Sequence, residues 1–91
     1  MINVLLVDDQ YLVRRGIKKL LEEVDGITVI GEASTGEDAI KIAKENQPHV
    51  VLMDVKMPGI GGMEATRKLV RLIPNIKVLA LSSFDEDPFP S

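Results

Sequence analysis

Val50-Val51-Leu52-Met53-Asp54 is an apolar run that ends abruptly in an acid, and Val4-Leu5-Leu6-Val7-Asp8-Asp9 follows the same pattern near the start of the chain. A short apolar run bounded by polar residues reads as a buried strand. Runs without polar alternation are apolar on both faces, the mark of interior strands in a parallel sheet. A third such run, Val78 to Leu81, stops at Ser82-Ser83, and the β-branched stretch Ile27 to Ala33 supplies a further strand of mixed polarity.

The segments between these runs have helical spacing. Val13, Ile17, Leu20, Leu21 and Val24 recur at i, i+4, i+7, i+8 and i+11, the stripe of an amphipathic helix, with Asp25-Gly26 as its stop. Ser34-Thr35-Gly36 is a turn whose hydroxyls can cap a second helix over Glu37 to Asn46, with Ala39, Ile40 and Ala43 inward and Pro48 closing the segment. Pro58-Gly59-Ile60-Gly61-Gly62 has loop composition, and a third helix follows from Met63 to Ile73, ended by Pro74-Asn75. The order βαβαβαβ implies a parallel sheet with right-handed crossovers. The tail Phe84 to Ser91 reads as coil, and no internal repeat or low-complexity segment is present.

Composition narrows the function classes. Ninety-one residues make one small domain, 45% apolar and 27% charged, with a net charge of −3. An acidic chain has no overall field to draw it onto nucleic acid or an anionic membrane, so neither is expected as a partner of this chain itself. The absence of Cys excludes disulfides, zinc ribbons and thiol catalysis. No apolar run approaches a membrane span, and no basic segment precedes the first strand run, so a cytoplasmic location is expected.

The acids carry the chemistry. Asp8 and Asp9 follow one buried run and Asp54 follows another, and ligands of an open parallel sheet bind outside the carboxyl ends of its strands. If those strands are neighbours, three carboxylates converge and repel, unless one is protonated or a cation is present. A hard divalent cation such as Mg²⁺ suits such a site. Asp54 would then be a metal ligand only, or also a nucleophile whose phosphoryl group shares the metal. Ser82 adds a hydroxyl at the same rim. Taken singly, each residue has a plainer role: Asp9 as an N-cap, Asp54 as a loop acid, Ser82 as a turn hydroxyl, Arg14-Arg15 as a solvated charge pair, Lys56 as a loop flank and His49 as a surface residue. The glycines at 59, 61 and 62 do not follow the dinucleotide spacing, and no P-loop is present.

The segments Val4 to Asp9 and Val50 to Gly59, the latter followed by Gly62, resemble the receiver domain of two-component response regulators. The pattern D-D…D-x-x-M-P-x-x-x-G carries the resemblance, which covers essentially the whole chain. Val13-Arg14-Arg15-Gly16-Ile17, Gly31-Glu32-Ala33 and Met63-Glu64-Ala65-Thr66 resemble the branch with a LuxR-type helix-turn-helix output domain, and within it the GacA/UvrY-type global regulators. The resemblance implies a flavodoxin-like α/β fold in which this chain has strand order 2-1-3-4. It implies that Asp54 accepts phosphate from a sensor histidine kinase, and that Asp9, Asp54 and the Lys56 carbonyl hold Mg²⁺, with Asp8 acting through water. It also implies that Ser82 is the switch hydroxyl, that the parent protein is a DNA-binding transcriptional regulator, and that the domain is not a conventional enzyme.

Against that family the chain reads as a receiver domain of residues 1–91 truncated after strand 4, without helix 4, strand 5 and helix 5. The phosphate-binding Lys and the switch aromatic of the family belong to that fifth strand, and no Lys here is assigned to the role. Physical argument points the same way. Four strands about 4.8 Å apart make a sheet roughly 20 Å wide. Helices packing about 8–10 Å apart then require two per face. One face has only one helix, and strand 4 becomes an apolar edge. Self-association through that edge, as a homodimer, is therefore expected, and an interaction module without phosphorylation is the alternative function.

Overall fold

The computed structural model describes residues 1–81. Ser82 and the tail expected to be coil from Phe84 onward lie outside the described residues. The elements run β1 (Ile2–Val7), α1 (Tyr11–Glu22), β2 (Ile27–Ala33), α2 (Gly36–Asn46), β3 (Val50–Asp54), α3 (Gly61–Leu72) and β4 (Lys77–Leu81). They build one parallel sheet, as the element order implies, with the strand order β2-β1-β3-β4 that the family resemblance implies. β1 sits in the middle, pairing Val4 with Val29 and Val50, and Val7 with Ala33 and Met53. The β1–β2 register slips between Val4 and Leu5.

The two acid-terminated runs are the most buried strands. Leu5, Leu6, Val7, Val51 and Met53 are fully enclosed, each burial stabilising the fold by about 1.5–3 kcal/mol. The main core lies between one sheet face and α2 with α3, where Leu5, Val7, Val51 and Met53 meet Ala39, Ala43, Ala65 and Leu69. The small residues Ala39, Ala43 and Ala65 let both helices lie close to the strands.

Among the described residues α1 alone lies on the other face and covers only part of it, over β2 and β1. At the far edge Leu79 is 57% exposed and β4 as a whole is poorly buried. That matches the expected half-covered face and edge position of β4.

Several boundaries differ from the sequence reading for local reasons. α1 starts after Gln10, which occupies the N-cap position without a side-chain bond, so Asp9 is not the cap. The same helix ends at Glu22, before Asp25-Gly26. Gly26, at φ +90°, instead turns the chain into β2 and offers its carbonyl to the Ile2 amide. α2 is capped by Thr35, whose Oγ1 accepts the Asp38 amide at 3.1 Å, and Glu37 and Asp38 complement its N-terminal dipole. Its end is set by Gln47 in the left-handed conformation, one residue before Pro48. α3 begins at Gly61, inside the stretch whose glycines read as loop.

Candidate functional site

The carboxyl ends of β1 and β3 are adjacent because Val7 pairs with Met53. The next residue on each strand is an aspartate, and Asp9 follows on the β1 side. Carboxylate oxygens of Asp8, Asp9 and Asp54 lie within 4.8 Å of one another. The three acids singled out from the sequence therefore form one cluster. Asp8 and Asp54 are buried and Asp9 is exposed, so the cluster opens to solvent on the Asp9 side.

Backbone bonds orient the acids. Asp8 Oδ1 accepts the Gln10 amide at 2.8 Å, and the Asp8 amide donates to the Ala33 carbonyl at 3.1 Å, holding the residue to β2. Asp54 Oδ1 accepts the Lys56 amide at 3.0 Å. Lys56 thus meets the cluster through its backbone amide, whereas the family resemblance named its carbonyl as a cation ligand. Burial pushes the Asp54 carboxyl above its usual 3.8; the Lys56 amide opposes this, and the charges on Asp8 and Asp9 reinforce it. A cation placed among the three acids would remove that repulsion. The donor set consists only of hard carboxylate oxygens, with no imidazole or thiolate in the group, which fits Mg²⁺ better than a softer metal.

The loop after β3 is held against this cluster by close backbone contact. Gly62, near the start of α3, lies so near the strand end that a Cβ there would stand 2.1 Å from the Asp54 carbonyl oxygen and 2.7 Å from Val55 Cα. Thr66 Oγ1 donates to the Gly62 carbonyl at 2.7 Å. At Gly36 a Cβ would meet Ile60 and Ala65 at 2.8–3.0 Å, so the start of α2 also packs directly on this loop.

Residues 4–90 match the response regulator receiver domain family. The chain belongs to this family. Along its whole length this receiver domain is 59% identical to the response regulator GacA of Pseudomonas viridiflava and 56% identical to the response regulator UvrY of Escherichia coli K12. It spans 42% of the length of each of these relatives. A solved two-component response regulator of the LuxR family from Aurantimonas superposes with a TM-score of 0.84 at 35% identity, covering 88% of this chain and 57% of that one. The receiver kinship read from the two acid-terminated runs, and the GacA/UvrY and LuxR character read from Val13 to Ile17, Gly31 to Ala33 and Met63 to Thr66, are thus shown.

Other residues fare differently. Ser82 follows Leu81, the β4 partner of Asp54, but lies outside the described residues. Lys77 pairs with Val50, at the end of the sheet remote from the acids. His49 is exposed, as expected, though its Nδ1 accepts the Asn3 amide at 2.9 Å.

Arg14 and Arg15 are not the solvated pair expected. Their side chains are 15% and 38% exposed, and both pair with Glu32 of β2, which Lys18 also approaches at 3.6 Å. The bond from Arg15, followed by that from Arg14, holds the Glu32 carboxyl below its usual range. The signal was present in the spacing of Arg14 and Lys18, one helical turn apart, and in a lone acid within β2. Nothing local to either segment shows that they face each other.

Among the described residues no helix is long and apolar enough to cross a membrane.

Proposed function

We propose that this receiver domain is a Mg²⁺-assisted phosphoacceptor in which Asp54 takes a phosphoryl group from a sensor histidine kinase. The observation that carries the reading is the convergence of Asp8, Asp9 and Asp54 at the ends of two adjacent strands. With Oδ1 held by the Lys56 amide, the other oxygen of Asp54 is the nucleophile. It forms a P–O bond as the N–P bond of a phosphohistidine breaks, and the departing imidazole takes up a proton. The product is an acyl phosphate on Asp54.

Asp9, Asp54 and the Lys56 carbonyl would hold the cation, with Asp8 acting through water. The metal supplies neutralisation of the charge that accumulates on the transferring oxygens. Ser82 is the hydroxyl proposed to follow the phosphate. Regulation of transcription by a DNA-binding parent protein, a cytoplasmic location and the absence of independent catalytic turnover belong to the same reading. The GacA, UvrY and LuxR-family relatives support it.

A small-molecule phosphodonor, offered with and without Mg²⁺ and read by intact mass, tests the proposal. One phosphoryl group should be added, only with Mg²⁺, and be lost in Asp54→Asn. Since no Lys is assigned to bind the phosphoryl group, modification of the 91-residue chain should be weak. Modification independent of Asp54 or of the cation would refute the reading.

A second reading is favoured by the exposure of Leu79 on β4. In it the chain pairs with a second copy along this edge and acts as an interaction module.

A further inference from the structure

Arg14 lies on α1 and carries no acid, yet it reaches the acidic site. Its Nη1 donates to the backbone carbonyl of Asp8 at 2.6 Å while its Nε donates to Glu32 Oε1 at 3.1 Å. A guanidinium is a rigid fork of donors, so anchoring one arm on β2 fixes where the other arm points. The Asp8 carbonyl belongs to the peptide unit joining Asp8 to Asp9, and the plane of that unit sets the position of the Asp9 Cα. Asp8 is already held through its amide by Ala33 and through its carboxylate by the Gln10 amide. Arg14 holds the carbonyl, its other backbone polar group.

We infer that Arg14, anchored on Glu32, is a positioning residue that aims the Asp8-Asp9 segment at the cation site beside Asp54. The inference rests on the reading of the three acids as a Mg²⁺ site. Arg15 supplies an internal comparison. It carries the same charge, comes from the same helix and pairs with the same Glu32, and its contact is to that carboxylate, not to the Asp8 carbonyl.

Coulomb's law and positioning predict opposite signs. Removing a positive charge near a cation site should tighten cation binding. Removing the group that orients a ligand-bearing segment should weaken it, by about tenfold or more as for other outer-shell partners of metal ligands.

The test is a Mg²⁺ titration by calorimetry on the folded protein, with Arg14→Met and Arg15→Met compared. Methionine keeps much of the apolar stem of arginine and removes the guanidinium. Arg14→Met should weaken Mg²⁺ about tenfold. Arg15→Met should leave the affinity unchanged or raise it. In the Mg²⁺-free protein the amide resonances of Asp9 and Gln10 should move in Arg14→Met and stay in place in Arg15→Met.

Arg14→Lys offers one point charge in place of a fork and should weaken binding several-fold. It decides the matter if Arg14→Met does not fold. Equal weakening by the two methionine variants, or an Arg14 variant that binds as tightly as the parent, would overturn the inference. An unsubstituted receiver domain that binds no Mg²⁺ would overturn the cation-site reading itself and this inference with it, and that result is visible without any variant.

Discussion

Placing a single methyl group at Gly62 should disturb both the fold and the site. Gly62→Ala puts a Cβ 2.1 Å from the Asp54 carbonyl oxygen and 2.7 Å from Val55 Cα, where ordinary contact begins at 3.4 Å. Both obstacles are backbone atoms and cannot rotate away, so α3 and the end of β3 must separate by more than about 1 Å, a strain at or above the range for overpacked cores. That range reaches about 3 kcal/mol. Alanine returns roughly 0.5–1 kcal/mol through its better helix propensity. The net loss is then about 2–3 kcal/mol, a large share of the roughly 5 kcal/mol at the lower end for a domain of this size.

Urea unfolding followed by circular dichroism reads the effect directly. With a slope near 1–1.5 kcal/mol per molar urea, the midpoint should fall by about 2 M. Gly16→Ala is the matched control, since no atom lies within 4 Å of a Cβ there and the position is exposed within α1. It should raise stability by about 0.5–1 kcal/mol through helix propensity alone. An unchanged midpoint in Gly62→Ala would show that α3 does not need to lie against the Asp54 backbone, and the account of how the site is held together would be wrong.

Asp9→Asn and Asp54→Asn should each weaken Mg²⁺ binding by about tenfold, as for loss of a charged ligand, and two unchanged titrations would remove the metal site. The raised pKa of Asp54 makes the Mg²⁺-free protein pH-sensitive in a defined direction: the contribution is fully present below the ordinary value of 3.8 and is lost as pH rises through the higher folded-state value. Asp54→Asn should therefore be more stable than its parent near neutral pH without Mg²⁺, with the gap closing in acid; urea midpoints across that window that run parallel would contradict this. Sedimentation at micromolar concentration should detect association through β4, and Leu79→Lys, on a strand residue 57% exposed, should reduce it without loss of helix signal. An unsubstituted chain that sediments as a monomer would dismiss that edge as an interface.

Much of this protein was determined by its sequence alone. Two apolar runs that end in acids specify interior strands, the helical spacing between them specifies crossovers, and together they bring Asp8, Asp9 and Asp54 to one end of a parallel sheet. That reading succeeds because strand and helix periodicity are local properties and crossover handedness follows from chain chirality. Local pattern misled where tertiary contact overrode it. The glycine-rich stretch before Met63 reads as loop, yet α3 starts at Gly61 because Gly62 lies against the Asp54 backbone. Asp9 has the chemistry of an N-cap, but Gln10 takes that position, and Asp8 spends its carboxylate on the Gln10 amide.

The partnership of Arg14 with Glu32 and the Asp8 carbonyl was decided by the tertiary structure. Its members lie on α1, on β2 and at the end of β1, and they meet only because α1 packs over β1 and β2. Charge placement along a chain records which residues can pair. Which of them do pair depends on strand order, register and helix rotation, and these are settled by the packing of the whole domain.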